Sequence, residues 1–333
     1  MSSVTEALAV PRMRRRALLS SNQVALLGLL VLMELGFAAL EPRIVSRGNL
    51  LNVVQQASYL IVFTVAQTLV ILTRGFDLSL GTTVSAVSVA SAMVLTPFGD
   101  DPAGWVLALG IAVGLGFGLA VGLFNALLVA LIGVNPFIAT LASLNICLGL
   151  ATTMSGGRPV FGVSDSFSAI LYDGKVLGIP EPPLIAAAVL LLAWLALTRT
   201  VFGRTVYIAG ANPRAAMVAG MRVRSCVGLA YVVCSVLAAL GALMLTARTG
   251  SGEPNLGGSL MLQSIAAAVI GGTSLRGGIG GVGSGVLGAL FVTMLSNGMD
   301  LLRISGYMQM ITLGVVVIAA TALDYRARAR RTA

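Results

Sequence analysis

The sequence predicts an all-α, polytopic integral membrane protein with about ten transmembrane helices, some of them broken or re-entrant. Of its 333 residues, 57% are hydrophobic and only 10% are charged, whereas a soluble domain has about a quarter of its residues charged. The mean hydropathy is +0.97. Apolar runs also recur at the length of about 20 residues that a helix needs to span a bilayer. The chain is therefore expected to cross a membrane repeatedly.

Windows of about 19 residues give ten candidate spans, at 22–40, 50–73, 79–97, 104–132, 136–154, 183–199, 225–247, 260–275, 283–298 and 305–323. The glycine-rich stretch 271–288 is the open point, because residues 260–298 could form two spans or a partly re-entrant unit. Residues 12–40 also have the outline of a secretory signal peptide, with a basic start and an apolar middle. A span is favoured there, because the apolar run is long and its removal would leave an odd number of spans.

The basic residues are distributed by membrane side. With ten spans and both termini in the cytoplasm, 15 of the 21 Lys and Arg residues lie inside: in the tails 1–21 and 325–333, around the loop 203–224, and at Arg74 and Arg276. Cytoplasmic loops of membrane proteins carry such an excess. We therefore expect residues 1–333 to form one transmembrane domain with cytoplasmic termini. The net charge of +9 then reflects topology, and nucleic-acid binding is not expected.

The composition also argues against an active site. Histidine is absent, which rules out His-ligated metals and Ser-His nucleophiles. The single lysine, Lys175, does not lie in a GxxxxGK[ST] loop, so the chain is not expected to hydrolyse ATP by that machinery. No enzyme activity, cofactor or metal is expected on this chain.

The first two spans carry polar side chains. Glu34 lies one or two turns from the outer end of the first span, where snorkelling or protonation accounts for it. An acid inside a span is nevertheless a functional hypothesis by default. On the second span, Gln55, Gln56 and Gln67 offer uncharged donors and acceptors to a hydroxyl-rich ligand. Hydrogen bonding between helices is the alternative for these amides.

The second span breaks at its inner end. In the stretch AQTLVILTRGFDLSLGTTVS, residues 66–85, an apolar helix stops at Thr73-Arg74-Gly75 and another begins after Asp77. Two opposite charges between membrane-spanning segments have to be satisfied by something. In one interpretation Asp77 caps the helix that starts at Leu78, and Arg74 neutralises it or lies at the cytoplasmic rim. In the other, the two charges form a polar gate or contact a partner.

The fourth span carries a glycine at every fourth position, Gly110, Gly114, Gly118 and Gly122. Such a ladder lets another helix approach closely, either within the chain or at a subunit interface. A second break, at 271–278, repeats the Thr, Arg and Gly of the first. Paired interrupted segments in the two halves of a transporter point to a central pathway.

The inner loop 203–224 predicts a short docking helix. Asn212 can cap a helix whose first residue is Pro213, the position that proline prefers. Small and apolar residues follow, namely Ala215, Ala216, Met217, Val218 and Met221, with Arg214, Arg222 and Arg224 beside them. A short helix of this kind suits a groove on another protein. A surface helix lying on anionic lipid is the alternative.

Together these pieces resemble the permease subunits of ribose/xylose/galactose-type ATP-binding-cassette (ABC) importers, within the branched-chain permease superfamily. The matching stretches are 49–56 (NLLNVVQQ), 68–81 (TLVILTRGFDLSLG), 135–141 (NPFIATL), 156–159 (GGRP), 203–223, 264–278 and 297–311. The related branched-chain amino-acid permeases share the fold but differ at the Asp77 joint, which favours the sugar branch. Phe76 departs from the smaller aliphatic residue expected at its position, and it could narrow the passage or tune the substrate.

The resemblance implies a bacterial inner-membrane complex that imports a monosaccharide such as a ribose-like pentose. Two copies of this chain, or this chain and a paralogous permease, would form the pore. ATP-binding subunits, which carry the ATP and Mg, would dock at the helix around Asn212, Pro213, Ala215, Ala216 and Gly220. An extracytoplasmic binding protein would deliver the sugar.

The resemblance also implies a translocation path lined or buttressed by Gln55, Gln56, Gln67 and Asn125, with Arg74 and Asp77 shaping its joint. Two other functions stay open on the sequence alone. One is an ion-coupled secondary transporter, for which Glu34 and Asp77 are the available intramembrane acids. The other is an ABC permease for a small polar solute that is not a sugar.

Overall fold

The computed structural model describes residues 21–99 and 102–332. Its longer helices are α1 (Ser21–Leu40), α2 (Arg47–Leu72), α3 (Leu80–Leu95), α4 (Gly104–Ala126), α5 (Pro136–Ser155), α7 (Glu181–Arg199), α10 (Val223–Thr249), α12 (Val282–Leu301) and α13 (Gly306–Thr332). The shorter helices are α6 (Asp165–Leu171), α8 (Val201–Ala211), α9 (Pro213–Val218) and α11 (Leu260–Ile270). Four two-residue strands are β1 (Val160–Phe161), β2 (Lys175–Val176), β3 (Ile179–Pro180) and β4 (Ser251–Gly252). The tail predicted at 1–21 lies outside the described residues except for Ser21, and α13 continues through most of the tail predicted at 325–333.

Within the described residues, eight helices are long and apolar enough to cross a bilayer. They coincide with eight of the ten predicted spans, and the all-α membrane fold class is confirmed. The other two predicted spans correspond to shorter apolar helices, Leu260–Ile270 and Gly306–Ala322. The first of these has 11 residues, or about 16 Å at 1.5 Å per residue, against a hydrocarbon core of about 30 Å. The predicted span at 260–275 is therefore wrong as a complete helix.

An irregular segment, residues 253–259, precedes α11 and runs along α3. The backbone N–H of Glu253 donates to Ser88 Oγ at 3.1 Å, and that of Gly257 donates to Ser85 Oγ at 3.1 Å. A Cβ on Gly81 would lie only 2.5 Å from the carbonyl oxygen of Gly257, so the two backbones touch. Non-helical backbone at membrane depth is tolerated only where protein groups satisfy it, and here the serines of α3 do so.

The buried centre of the molecule is formed by α2, α3 and α10, and α4 packs against the last two. The glycine ladder of α4 lies on this contact. A Cβ on Gly114 would lie 2.7 Å from Leu243 Cδ2, and one on Gly122 would lie 2.8 Å from Val232 Cα. The close approach that the ladder allows is thus used inside the chain, mainly against α10.

Short strands and α6 order the segment between α5 and α7. β1 pairs antiparallel with β4, so that Val160 lies opposite Gly252, and β2 pairs with β3 in a hairpin. The helix α6 lies within this segment, at Asp165–Leu171. The Ser168 hydroxyl donates to the carbonyl of Ala247 at 2.7 Å, which fastens α6 to the end of α10.

Candidate translocation joint and docking helix

The break between α2 and α3 is present, and Asp77 organises it. Asp77 is fully buried, and its Oδ1 accepts hydrogen bonds from the backbone N–H of Ser79 at 2.9 Å and from the Ser79 hydroxyl at 2.5 Å. The helix begins at Leu80, two residues later than the sequence indicated. Both contacts hold Ser79, the residue that immediately precedes the helix and occupies its N-cap position.

A chain of buried side chains continues from Asp77 through three helices. The amide nitrogen of Asn125 on α4 donates to Ser79 Oγ at 3.1 Å, and the Ser143 hydroxyl on α5 donates to the Asn125 amide oxygen at 2.5 Å. We call Asp77, Ser79, Asn125 and Ser143 the joint network. Asn125, predicted for the path, is completely buried in this network. Its direct role in this chain is to join α3, α4 and α5.

The backbone of the joint is also held by its neighbours. The Phe76 carbonyl oxygen accepts hydrogen bonds from the hydroxyls of Thr140 on α5 and Tyr231 on α10, both at 3.3 Å. The Tyr231 hydroxyl occupies the position where a Cβ on Gly75 would stand. Gly75 is therefore required by close packing, and the joint is fixed by α5 and α10 as well as by Asp77.

Arg74 does not pair with Asp77. Its guanidinium donates instead to the carbonyl oxygens of Gly210 and Ala211, the last two residues of α8. The only ion pair between described side chains joins Arg43 to Glu41, in the segment between α1 and α2. Arg43 lowers the pKa of Glu41 to about 2, mainly through the side-chain hydrogen bond.

The two breaks that the sequence indicated meet at the end of α8. The N–H of Gly278 donates to the carbonyl of Leu72, the last residue of α2, at 2.9 Å. The Tyr207 hydroxyl on α8 donates to the carbonyl of Gly280 at 3.0 Å, and burial raises the pKa of this phenol so that it keeps its proton. We call the contact of 72–74, 210–211 and 277–280 the three-segment junction. The recurrence of Thr, Arg and Gly at both breaks was the sequence signal for it.

The predicted docking helix is α9, directly after this junction. Asn212 caps it, since its Oδ1 accepts from the N–H of Ala215 at 3.1 Å, and Pro213 is the first residue. Ala216 is completely buried, whereas the side chains of Met217 and Val218 are 55% and 90% exposed. Ala216 therefore seats the helix on the membrane domain, and the apolar side chains of Met217 and Val218 after it are exposed.

Residues around α9 complete this surface. Gly220 follows the helix with a φ of +74°, a left-handed conformation that glycine adopts without strain. Arg214 and Ala215 are exposed beside Met217. Of the residues predicted to contact a partner, Ala216 is the one that faces its own chain, so the exposed surface of α9 consists of Arg214, Ala215, Met217 and Val218.

The glutamines of α2 do not join the joint network through any hydrogen bond. Gln55 and Gln56 are partly exposed near the outer half of the helix, where the Gln56 amide donates to Asn52 Oδ1 at 3.0 Å. Gln67 is completely buried, and neither its amide oxygen nor its amide nitrogen has a hydrogen-bond partner in the structure. A buried amide without a partner is costly, which distinguishes Gln67 from the other two.

Residues 49–321 match the protein family described as the permease component of the branched-chain amino acid transport system. This chain belongs to that family. The resemblance to ribose-type permeases is confirmed by similar proteins across most of the chain. The ribose import permease RbsC of Bacillus subtilis (strain 168) is 36% identical over 90% of this chain and 91% of its own length. RbsC of Escherichia coli (strain K12) is 35% identical over 91% and 93% of the two chains.

The D-allose transport system permease AlsC of Escherichia coli (strain K12) is 32% identical, over 86% of this chain and 87% of its own length. No solved structure gives a significant match. As a permease of this family with eight apolar helices among its described residues, the chain is a multi-pass protein of the bacterial inner membrane and a transport subunit.

Proposed function

We propose that this permease imports a ribose-like monosaccharide, and that a partner subunit drives it by hydrolysing ATP. The observation that carries the proposal is α9, a capped helix seated by Ala216 with Val218 almost fully exposed. A short helix with exposed apolar side chains beside an arginine suits insertion into a groove of another protein. The names of the similar permeases, for ribose and allose, support the substrate class.

In this proposal the chain contributes no catalytic group. ATP and Mg are bound by the partner subunit, which docks at α9. A second copy or a paralogous permease completes the pore, and a binding protein delivers the sugar on the outer side. Nucleotide changes the conformation of the pore only to the extent that it binds one state better than the other.

Gln67 is the residue that we assign to the sugar. Its amide offers both a donor and an acceptor, and both lack partners although the side chain is fully buried. A sugar hydroxyl is itself a donor and an acceptor, so it can satisfy either end of the amide. A neutral amide binds hydroxyls without the cost of a buried charge, which suits a pathway that has to release its substrate.

The test is sugar uptake by proteoliposomes that contain this chain with its ATP-binding subunit and binding protein. Ribose, allose and galactose are supplied in turn, with and without ATP, and with ionophores that remove proton and sodium gradients. We expect uptake of one sugar that requires ATP and survives the ionophores. Uptake that follows an imposed ion gradient without ATP would instead establish a secondary transporter, and ATP-driven uptake of none of the sugars would overturn the substrate class.

A further inference from the structure

Arg74 occupies a backbone position that favours glycine. The N–H of Gly75 donates to the carbonyl of Val70 at 3.1 Å, and the N–H of Arg74 donates to that of Ile71 at 2.9 Å. This is the Schellman pattern that ends many helices, in which the residue at Arg74's position is usually a glycine because it is left-handed. Arg74 has a φ of +68°, which is strained for a residue with a Cβ. The local backbone conformation therefore disfavours arginine at this position. The contacts of the arginine side chain have to explain why it is there.

That side chain binds the far end of α8. The two carbonyls that accept from the guanidinium, on Gly210 and Ala211, are 136 and 137 residues away along the chain. They belong to the C-terminal end of a helix, where carbonyls lack intrahelical partners and cations are favoured. The next residue, Asn212, caps the docking helix. A single side chain thus ties the intramembrane break to the base of α9.

Glycines of the second break close the junction around this contact. A Cβ on Gly277 would lie 2.5 Å from Arg74 Cγ, and one on Gly278 would lie 2.6 Å from the backbone nitrogen of Ala211. The stem of Arg74 is therefore held against the loop between α11 and α12. Because Leu72 also accepts a hydrogen bond from Gly278, a displacement of α8 would move both the break after α2 and the break after α11.

On this geometry we infer that Arg74 is a positioning residue that transmits movement of the docking helix to the broken segments in the membrane. The inference rests on the proposed function, since it needs a partner ATPase at α9. From Arg74 the path to the joint network is three residues long, and it ends at Asp77, whose carboxylate is bound to the start of α3. Movement of α8 therefore reaches α3 through the α2 terminus, in addition to the covalent route through α10.

The test uses Arg74→Gly, because glycine relieves the backbone strain at this position while it removes the whole side chain, both the guanidinium and the stem packed against Gly277. Arg303 is a matched control. It has a φ of +59° in the same Schellman pattern, with Ile304 donating to Met299 and Arg303 donating to Asp300 at 2.9 Å each. It follows α12, at the opposite side of the membrane in the ten-span topology. Arg303→Gly thus removes the same side chain from the same conformation without touching the junction.

The measured quantity is the number of sugar molecules transported per ATP hydrolysed, with copurification of the ATP-binding subunit and thermal stability recorded for each variant. For Arg74→Gly we expect normal copurification and stability, with transport per ATP lowered roughly tenfold, a size typical of coupling through one contact. Arg74→Lys should fall between this variant and the unmodified chain, because an ammonium can reach a carbonyl but lacks the planar fork of arginine. Arg303→Gly should transport as the unmodified chain does.

Two results would overturn the inference. One is unchanged transport per ATP in Arg74→Gly. The other is a parallel loss of stability, copurification and hydrolysis, which would show that Arg74 only holds the fold together. If the unmodified chain itself fails to transport with ATP, the proposed function fails, and that result is separate from either outcome for Arg74.

Discussion

Arg74 and Asp77 look like an ion pair in the sequence, but the structure directs them to different helices. The left-handed backbone at Arg74 turns its side chain toward α8, whereas Asp77 points to the start of α3. Asp77 accepts from the N–H of Ser79, as the capping interpretation expected, but the helix starts at Leu80 and its N-cap residue is Ser79. Whether the residue also lines the path stays a prediction.

Asp77→Ala should destabilise the protein, because the N–H and the hydroxyl of Ser79 would lose their buried acceptor. Leaving a buried donor unsatisfied costs about 1–3 kcal/mol. Asp77→Asn should be milder, since its amide oxygen can accept the same hydrogen bonds. Thermal unfolding in detergent measures both variants, with Asp173→Ala, an exposed acid between α6 and β2, as the control. Equal destabilisation by Asn and Ala would show that the charge, and not the acceptor, is what the site needs.

At the scale of elements, the sequence predicted the helix ends and breaks that depend on the chemistry of neighbouring residues. The docking helix was predicted from Asn212 and Pro213, and both occupy the expected capping positions. The break was predicted at 73–77 from its charges and glycine, and in the structure it extends to Ser79. The contact of Arg74 with α8 could not be predicted in this way, because it joins residues more than 130 positions apart.

The shortened helix at 260–275 has a different cause. Hydropathy reports composition, and the apolar run there is long enough to suggest a full span. The helix begins at Leu260 as predicted but ends at Ile270, because Gly272 takes a left-handed φ of +99° and the N–H of Thr273 donates back to the carbonyl of Ala268 at 2.9 Å. The end of α11 also packs closely on α12, since a Cβ on Gly271 would lie 2.3 Å from the carbonyl oxygen of Ser284. Hydropathy does not report this contact.

The glycine ladder gives a prediction for α4. Gly118→Ala should destabilise the bundle by about 1–3 kcal/mol through overpacking, because its Cβ would overlap Ala239 and lie 2.7 Å from the carbonyl oxygen of Ser235. Gly116→Ala, two residues away, has no atom within 4 Å of the added Cβ and should be neutral or slightly stabilising. Comparing the thermal unfolding midpoints of the two variants with that of the unmodified chain tests this prediction. Equal midpoints would mean that α4 does not pack on α10 as described.

At the scale of the whole molecule, the two faces of the membrane domain differ in construction. Toward the side where α10 ends, short strands and α6 are fastened to each other and to α10. On the side predicted to be cytoplasmic, α9 leaves Met217 and Val218 uncovered. The fold is thus held together by strands and hydrogen bonds at one end, and at the other it exposes the apolar side chains of α9.

Val218→Asp should weaken copurification of the ATP-binding subunit roughly tenfold or more, because a charge would be buried in an apolar contact. Its thermal stability should not change, since the side chain is 90% exposed. Leu177→Asp is the control, because Leu177 is 97% exposed in the β2–β3 hairpin on the predicted outer side. If both variants retain the subunit equally, the ATPase docks elsewhere.

The irregular segment 253–259 also constrains how the protein is made. A helix as short as α11 cannot span the hydrocarbon core alone, and the segment before it is held by turns of its own and by two hydrogen bonds to α3. The N–H groups of Glu253 and Gly257 find their acceptors on α3, a helix that leaves the ribosome more than 150 residues earlier. The final position of residues 253–270 therefore depends on a helix made much earlier, so we expect their burial to follow the integration of α3.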